Sequence, residues 1–315
     1  HLEVSENDSL FLAIELSHSP IHLDETLVQA DRSFSAASAR SVRNFDLRLR
    51  PKGSAHQMLQ VAPGLIIAQH AGGGKAEQIF LRNFDADHGT DVAISVDGMP
   101  VNMVSHGHGQ GYADLHFLIP DVVERLEVFK GPYFAGLGNL ATAGAVEFQT
   151  RDHIDRNMLR LGGGSFGSAD LTGIYQLPLD SPRQSAYVAG SYTRSDGPVD
   201  KKQGLQRFNI FAKLHTHLGE HASLSTSFDA FSSAWDASGQ IPQRAVRAGR
   251  IDRWGAIDPL EGGTTSRRNL NLVYEARDDE GRELIAQAYF THYDFKLFSN
   301  FTFFRENPTA GDMIE

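Results

Sequence analysis

From about residue 157 the sequence settles into an alternation that leaves few choices of fold. In RFNIFAKLHTHL (207–218) the even positions carry Phe208, Ile210, Ala212, Leu214, Thr216 and Leu218. The odd positions carry Arg207, Asn209, Phe211, Lys213, His215 and His217. ASLSTSFDAF sets Leu224, Phe228 and Ala230 against Ser223, Ser225, Ser227 and Asp229, and NLNLVYEAR sets Leu270, Leu272, Tyr274 and Ala276 against Asn269, Asn271 and Glu275. A period of two means strands with unlike faces. The connections alternate as well. LPLDSPRQ, HLGEH and RDDEGR are tight, whereas RSDGPVDKKQG and the stretch from SSAWDASG to GGTTSRR are long. All the long connections then fall at one end of the sheet, as in transmembrane barrels with short periplasmic turns and long outer loops. A soluble sandwich alternates without that asymmetry. About seven strands fit after residue 157, and an odd number does not close a bacterial barrel. The expectation is an open run of barrel strands, with more barrel after Glu315 in the natural protein.

Composition narrows the rest. The chain has 315 residues, room for one large or two ordinary domains. With 41% hydrophobic and 22% charged residues it reads as folded. A formal net charge of −10 argues against nucleic acid as a partner, because phosphates need a basic face. No segment approaches the ~18 apolar residues of a membrane-spanning helix. The absence of cysteine removes disulfides and thiolate metal sites, and fits a bacterial envelope as well as a cytosol. The chain opens on His1 without a charged-then-apolar leader, as expected of a mature or trimmed form. Thirty glycines and twenty phenylalanines favour turns and aromatic strands.

Ahead of the strands, residues 1–54 read as an N-terminal segment ending in the linker-like ADRSFSAASARS. A short helix is expected across AHQMLQVAPG, with Met58, Leu59 and Ala62 on one face and Pro63-Gly64 as its stop. Residues 55–156 then alternate short apolar runs with glycine-rich turns, an α+β unit of ordinary domain size. Within it, IPDVVERLEVFKGP (119–132) threads Glu124, Arg125, Glu127 and Lys130 among Val122, Val123, Leu126, Val128 and Phe129. Such a strand suits an edge facing water, or a domain whose enclosure is itself polar. A catalytic pair at Glu124 and Glu127 is a poor reading. A strand points residues three apart to opposite faces, and a paired acid and base must converge. For a glycosidase only Asp85, Asp87 and Asp97 are candidates, all beside turns.

Five stretches, in order, resemble the plug domain of TonB-dependent outer-membrane receptors: HQMLQVAPGLIIAQHAGGG, IFLRNF, VDGMPVN, IPDVVERLEVFKGP and GLGNLATAGAVEF. The strands that follow resemble the early barrel of the same family. The resemblance implies an α+β plug domain followed by antiparallel transmembrane β-barrel strands, with residues 157–315 as the first part of a barrel of about 22 strands. It implies no enzyme, no cofactor and a place in the bacterial outer membrane. It further implies active import of a scarce solute such as an iron chelate, haem or a metal complex. The implied partners are TonB with its inner-membrane energising complex, the small-molecule substrate and outer-membrane lipid. The rival reading is a soluble or surface β-rich binding or adhesion protein.

The resemblance also distributes roles. DETLVQA resembles the TonB box captured by strand addition, which places TonB contacts at Glu25, Thr26, Leu27, Val28 and Gln29. Arg82, Glu124, Arg125 and Lys130 are the charges expected to pair plug with barrel. Asn83 stands where the family has glycine, and Lys130 where arginine is more usual. Ligand contacts are expected at His70 and the His106, His108 and Tyr112 loop, and on the long connection at Trp235, Arg244, Arg247 and Trp254, where aromatic planes meet positive charge. His70, His88, His106, His108 and His116 invite a metal or haem reading, but no metal site is read: His106 and His108 sit in a loop without a thiolate, an HExxH partner or an evident third ligand. GGGK at 72–75 lacks the phosphate-loop spacing.

Overall fold

A computed structural model describes residues 38–43, 47, 53–69, 73–309 and 311–314. The TonB-box-like segment at 24–30 and His70 lie outside these residues.

The α+β unit is built as the apolar pattern predicts. Ser54 caps helix α1 (Ala55–Leu59) by accepting from the Gln57 N–H at 3.2 Å. Met58, Leu59 and Ala62 are all buried. Strands β2 (Leu65–Ala68), β3 (Gln78–Leu81) and β4 (Phe84–Asp85) form a small meander. Its β3–β4 turn holds Arg82 at φ 49° and Asn83 at φ 71°. Two left-handed residues make the turn that matches strand twist, and asparagine supplies the second of them where glycine was expected.

The main plug sheet runs β1 (Ser38–Arg43), β7 (Val123–Lys130), β8 (Gly144–Thr150), β5 (Val92–Val96) and β6 (Met99–Pro100), with β5 and β8 parallel. Strand β1 corrects the sequence reading, which left Ser38–Arg43 in the linker. It pairs antiparallel with β7 along its whole length. SARSVR carries only Ala39 and Val42 as apolar residues, so its strand character comes from an available edge rather than from pattern.

Strands β9 (Met158–Gly163), β10 (Ala169–Leu177), β11 (Gln184–Ser195), β12 (Leu205–His217), β13 (Ala222–Asp236), β14 (Gly262–Arg277), β15 (Glu283–Asn300) and β16 (Met313–Ile314) form one antiparallel sheet in sequence order. The seven long strands match the expected count. A helix, α2 (Gln243–Arg247), lies in the longest connection.

This second sheet is inside out by the standards of a soluble protein. On β14 the inner positions Arg267 and Asn269 are 1% and 2% exposed, while Leu270 between Asn269 and Asn271 is 41% exposed. On β12, Asn209 and Lys213 are buried, and Phe208, Ile210 and Leu214 are exposed. The polar face is covered by the plug; the apolar face is bare. A water-soluble sandwich would do the reverse, so its reading falls here. Phe211, the apolar exception on the polar side, packs at 5.7 Å from Tyr187 and joins the plug core.

Candidate ligand-binding site

The plug meets the wall through an apolar patch at Ile174, Tyr187, Ala189, Phe211 and Phe231 and, around it, through hydrogen bonds. Lys213 on β12 donates to Thr150 O at 3.2 Å and Thr150 Oγ1 at 3.0 Å, 2.8 Å from the Asp152 carboxylate and 3.5 Å from that of Asp97. Arg267 on β14 donates to the carbonyls of Val101 and Pro100 and sits 4.7 Å over the Phe117 ring. Arg207 donates to Gly73 O at 2.7 Å, and Asn271 to Asp97 O at 3.0 Å. Buried polar groups need partners, and here each sheet residue finds one on plug backbone or carboxylate. Asp97, one of the three hydrolase candidates, is taken up in this seam.

The charges expected to pair plug with barrel lie on the β3–β4 turn and on β7 of the plug. Arg82 is exposed at its turn and has no ion-pair partner among the described residues, and Glu124 is exposed. Arg125 bonds Gln149 at 2.5 Å and lies 3.5 Å from Glu127, both within the plug. Lys130 is buried. The seam charges on the described wall include Lys213, Arg267, Arg207 and Arg160, whose guanidinium lies 2.7 Å from the Asp121 carboxylate of the plug. Sequence parity marked Arg207 and Lys213 as facing the polar side, but not what they would meet.

Behind the seam a histidine–carboxylate chain crosses the plug. The Leu115 N–H donates to His56 Nε2 at 3.4 Å; His56 Nδ1 lies 2.6 Å from Glu77; His116 lies 3.5 Å from Glu77 and 2.9 Å from Asp114. Tyr293 on β15 then donates to Asp114 at 3.1 Å. Burial works to raise the Asp114 carboxyl, but the charge and hydrogen bonds of His116, with His56 beyond, hold it at about 2. Burial likewise opposes ionisation of Glu77, and the two imidazoles overcome it, keeping Glu77 well below its usual range. Burial and Arg207 push the His116 imidazole down, and Asp114 and Glu77 more than restore it, so it rises above its ordinary value. His56, Glu77 and His116 have donor atoms close enough for a cation. Yet the charged imidazole between two carboxylates already supplies the positive charge an ion would bring.

Above this chain lies a cavity of about 1240 Å³ between loop 101–118 and the wall. Its wall residues include Tyr192, Arg207, Ser233, Thr265, Tyr293 and Phe295, all at the strand ends that lead into the long connections. From the plug come His106 and His108. His106 stacks on Tyr112 with ring centroids 4.1 Å apart, nearly coplanar, and Phe295 stands 5.1 Å from it. Burial pushes His106 down, against the pull of Asp114, which favours the neutral ring. Tyr112 is itself buried, its hydroxyl accepting from the Ala76 N–H at 2.9 Å. The expected cluster of His106, His108 and Tyr112 is thus brought together at one cavity.

The long-connection residues do not line that cavity. Trp235 is buried behind it, between Phe295 and the Gly73-Gly74 backbone. A Cβ on Gly74 would stand 1.9 Å from the indole, so only glycine allows the approach. Arg244 donates to Phe303 O, Arg247 is exposed on α2, and Trp254 carries Arg253 over its ring at 4.6 Å.

A sheet with a polar face covered by the plug and a bare apolar face is the arrangement expected of part of a plugged β-barrel. Residues 31–145 match the TonB-dependent receptor plug domain family. Solved structures of similar fold include the unliganded ferric citrate transporter FecA, with a TM-score of 0.70 at 17% identity over 84% of this chain and 41% of that one. They also include the Acinetobacter baumannii siderophore receptor PirA, at 0.57 and 17% over 81% and 40%. The copper transporter OprC matches at 0.62 and 16% over 82% and 38%. The chain therefore spans about two fifths of the length of these receptors. In fold it corresponds to the plug and part of the barrel of these receptors.

Proposed function

We propose that this chain forms the gate and first wall of an importer that takes up a scarce solute across the outer membrane, driven by TonB. Residues 1–54 would be the N-terminal segment with its TonB-contacting stretch, 55–156 the bulk of the plug, and 157–315 the opening strands of the barrel. Substrate enters from the long-loop end, into the cavity against His106, His108, Tyr293 and Phe295. Ferric citrate, siderophores and copper, the solutes named for proteins of similar fold, make an iron chelate or metal complex the favoured class. The carrying observation is the seam: a plug bound to the wall by many hydrogen bonds closes the pore, yet each bond can be exchanged for water when force is applied. Such a gate needs external work, which TonB and its inner-membrane complex would supply. No bond of the substrate need change, so no catalytic group is required.

Deleting residues 24–30 from the full-length receptor tests this. Uptake should fall to the level of a TonB-deficient strain, while substrate binding to whole cells persists. Unchanged uptake would reject the box assignment.

A further inference from the structure

We infer that Asp87, His88 and His108 form a binding site for a borderline divalent transition-metal ion, bare or held in a small complex. In the sequence two loop histidines lacked a third ligand. The fold supplies it, because the turn after β4 carries Asp87 and His88 up to loop 101–118. One donor atom from each of the three lies within 4.8 Å of the other two. His88 and His108 ring centroids are 4.8 Å apart, and His88 Nε2 is 3.4 Å from the Asp87 carboxylate.

Ligands of a tetrahedral ion with ~2.0–2.1 Å metal–nitrogen bonds stand roughly 3.4 Å apart. Gathering the three therefore needs an inward shift of about 1 Å or a little more. His108 can provide it, since it is partly exposed between Gly107 and Gly109, and a Cβ on Gly107 would meet nothing within 4 Å. Asp87 and His88 are fixed by backbone: the Asp87 carbonyl accepts from the Ile79 N–H at 2.6 Å, and the His88 carbonyl from the Ala113 N–H at 2.7 Å. Two rigid ligands and one adjustable one suit a site that captures and releases.

The donors set the class of ion. Two imidazoles and one carboxylate suit copper, zinc or nickel, and a hard cation such as calcium would want six or more oxygens. Among the divalent first-row ions such a set favours Cu²⁺ over Zn²⁺. Three protein ligands leave a coordination position open, and His108 faces the cavity, so a complex could keep donors of its own. The ion's role as cargo rests on the import reading; its binding does not.

The experiment is titration of the full-length receptor in detergent micelles with copper(II) sulfate and with zinc sulfate, followed by calorimetry and, for copper, electron paramagnetic resonance. The expected result is one Cu²⁺ per chain, Zn²⁺ bound more weakly, and hyperfine coupling to two imidazole nitrogens. His108→Ala and Asp87→Asn should each weaken copper binding by about 100-fold, with His108→Ala leaving one coupled nitrogen. His217→Ala, at the opposite end of the sheet, should change neither. No saturable binding, or binding that survives both variants, overturns the site. Labelled-copper uptake in cells with and without TonB separates the two readings. TonB-dependent uptake of another solute without copper binding would sink the site and keep the importer; copper binding without TonB-dependent uptake of copper would keep the site and remove the cargo role.

Discussion

The plug and the sheet around it are folded from the same residue types for opposite surroundings. In the plug, Ile79, Leu81, Ile94, Leu126, Val146 and Phe148 are sealed from solvent, with the His56–Asp114 chain as a buried polar exception. Across the seam, Arg267, Asn269, Asn271, Lys213 and Asp229 are the sealed residues, and Leu270, Leu272, Ile210 and Leu214 are bare. Hydrophobic burial holds the plug together from within. The sheet has no such interior: hydrocarbon meets one face, and a polar protein meets the other. Burial therefore does not mark the core of this molecule. It marks the boundary between a domain made for water and a wall made for lipid.

The sharpest way to break that comparison is to truncate one apolar side chain in each region. Phe148→Ala, inside the plug, opens a cavity and should cost about 3–5 kcal/mol. Leu270→Ala, on the bare face, opens none because lipid fills the space, and should cost below ~2 kcal/mol. Urea unfolding of the full-length receptor in vesicles, read separately by plug hydrogen exchange and by sheet signal, distinguishes them. Equal losses would mean that Leu270 belongs to a packed core after all.

A finer contrast uses neighbours on one strand. Lys213 and Leu214 are adjacent on β12 and point to opposite sides. Lys213→Met takes the cation from the Asp97 carboxylate, which keeps its bonds from Thr150, and a donor from the Thr150 carbonyl. A fully buried broken pair costs ~3–5 kcal/mol, and the half-exposed Asp152 reduces this to about 2–3 kcal/mol. Leu214→Met is a volume-conserving change against lipid and should stay below ~1.5 kcal/mol. The Lys213 loss should also appear as faster exchange around Thr150, with the Ile94 region unaffected. Protection lost uniformly over the plug would show that the seam and the plug core do not open separately.

How far the sequence carried depends on whether a feature is local. Alternation is local, so residues 207–218 and 269–276 declared their strands and faces without help. The helix at 55–59 was legible from its Met58, Leu59 and Ala62 stripe and its Pro63-Gly64 stop. Strand β1 was not, because SARSVR pairs only where β7 offers an edge. The site split in the same way. His106, His108 and Tyr112 share one loop and could be grouped from sequence. Asp87 and His88 reach His108 only through tertiary folding, and no spacing rule joins residues that far apart. Trp235 misled in the other direction. An aromatic beside a long loop suggests a ligand platform, and only the close approach of Gly74 reveals it as a packing residue.

The smallest effect bears on the chain from His56 to Tyr293, which couples the plug interior to the cavity wall. Its groups respond to pH in opposite senses. Asp114 is held at about 2 against an ordinary 3.8, and Glu77 lies well below 4.5. Their contributions are whole above those ordinary values and fade as pH falls through the folded ones. For Asp114 that is on the order of 2 kcal/mol. His116 is raised above 6.5, so its contribution is whole below that value and is lost as pH climbs through the folded one. Stability of the plug against the wall should therefore peak between about pH 5 and 6.5 and decline on both sides. His116→Gln should flatten the alkaline limb, because no proton is then released. It should also weaken the acid limb, because Asp114 and Glu77 lose the cation that depresses them. Tyr293→Phe removes the bond to Asp114 and the one accepted from Thr265, and should leave both limbs in place at a lower maximum. If His116→Gln kept the alkaline decline intact, the proton would reside elsewhere, and the carboxylates on either side of that ring would need another cation to hold them ionised.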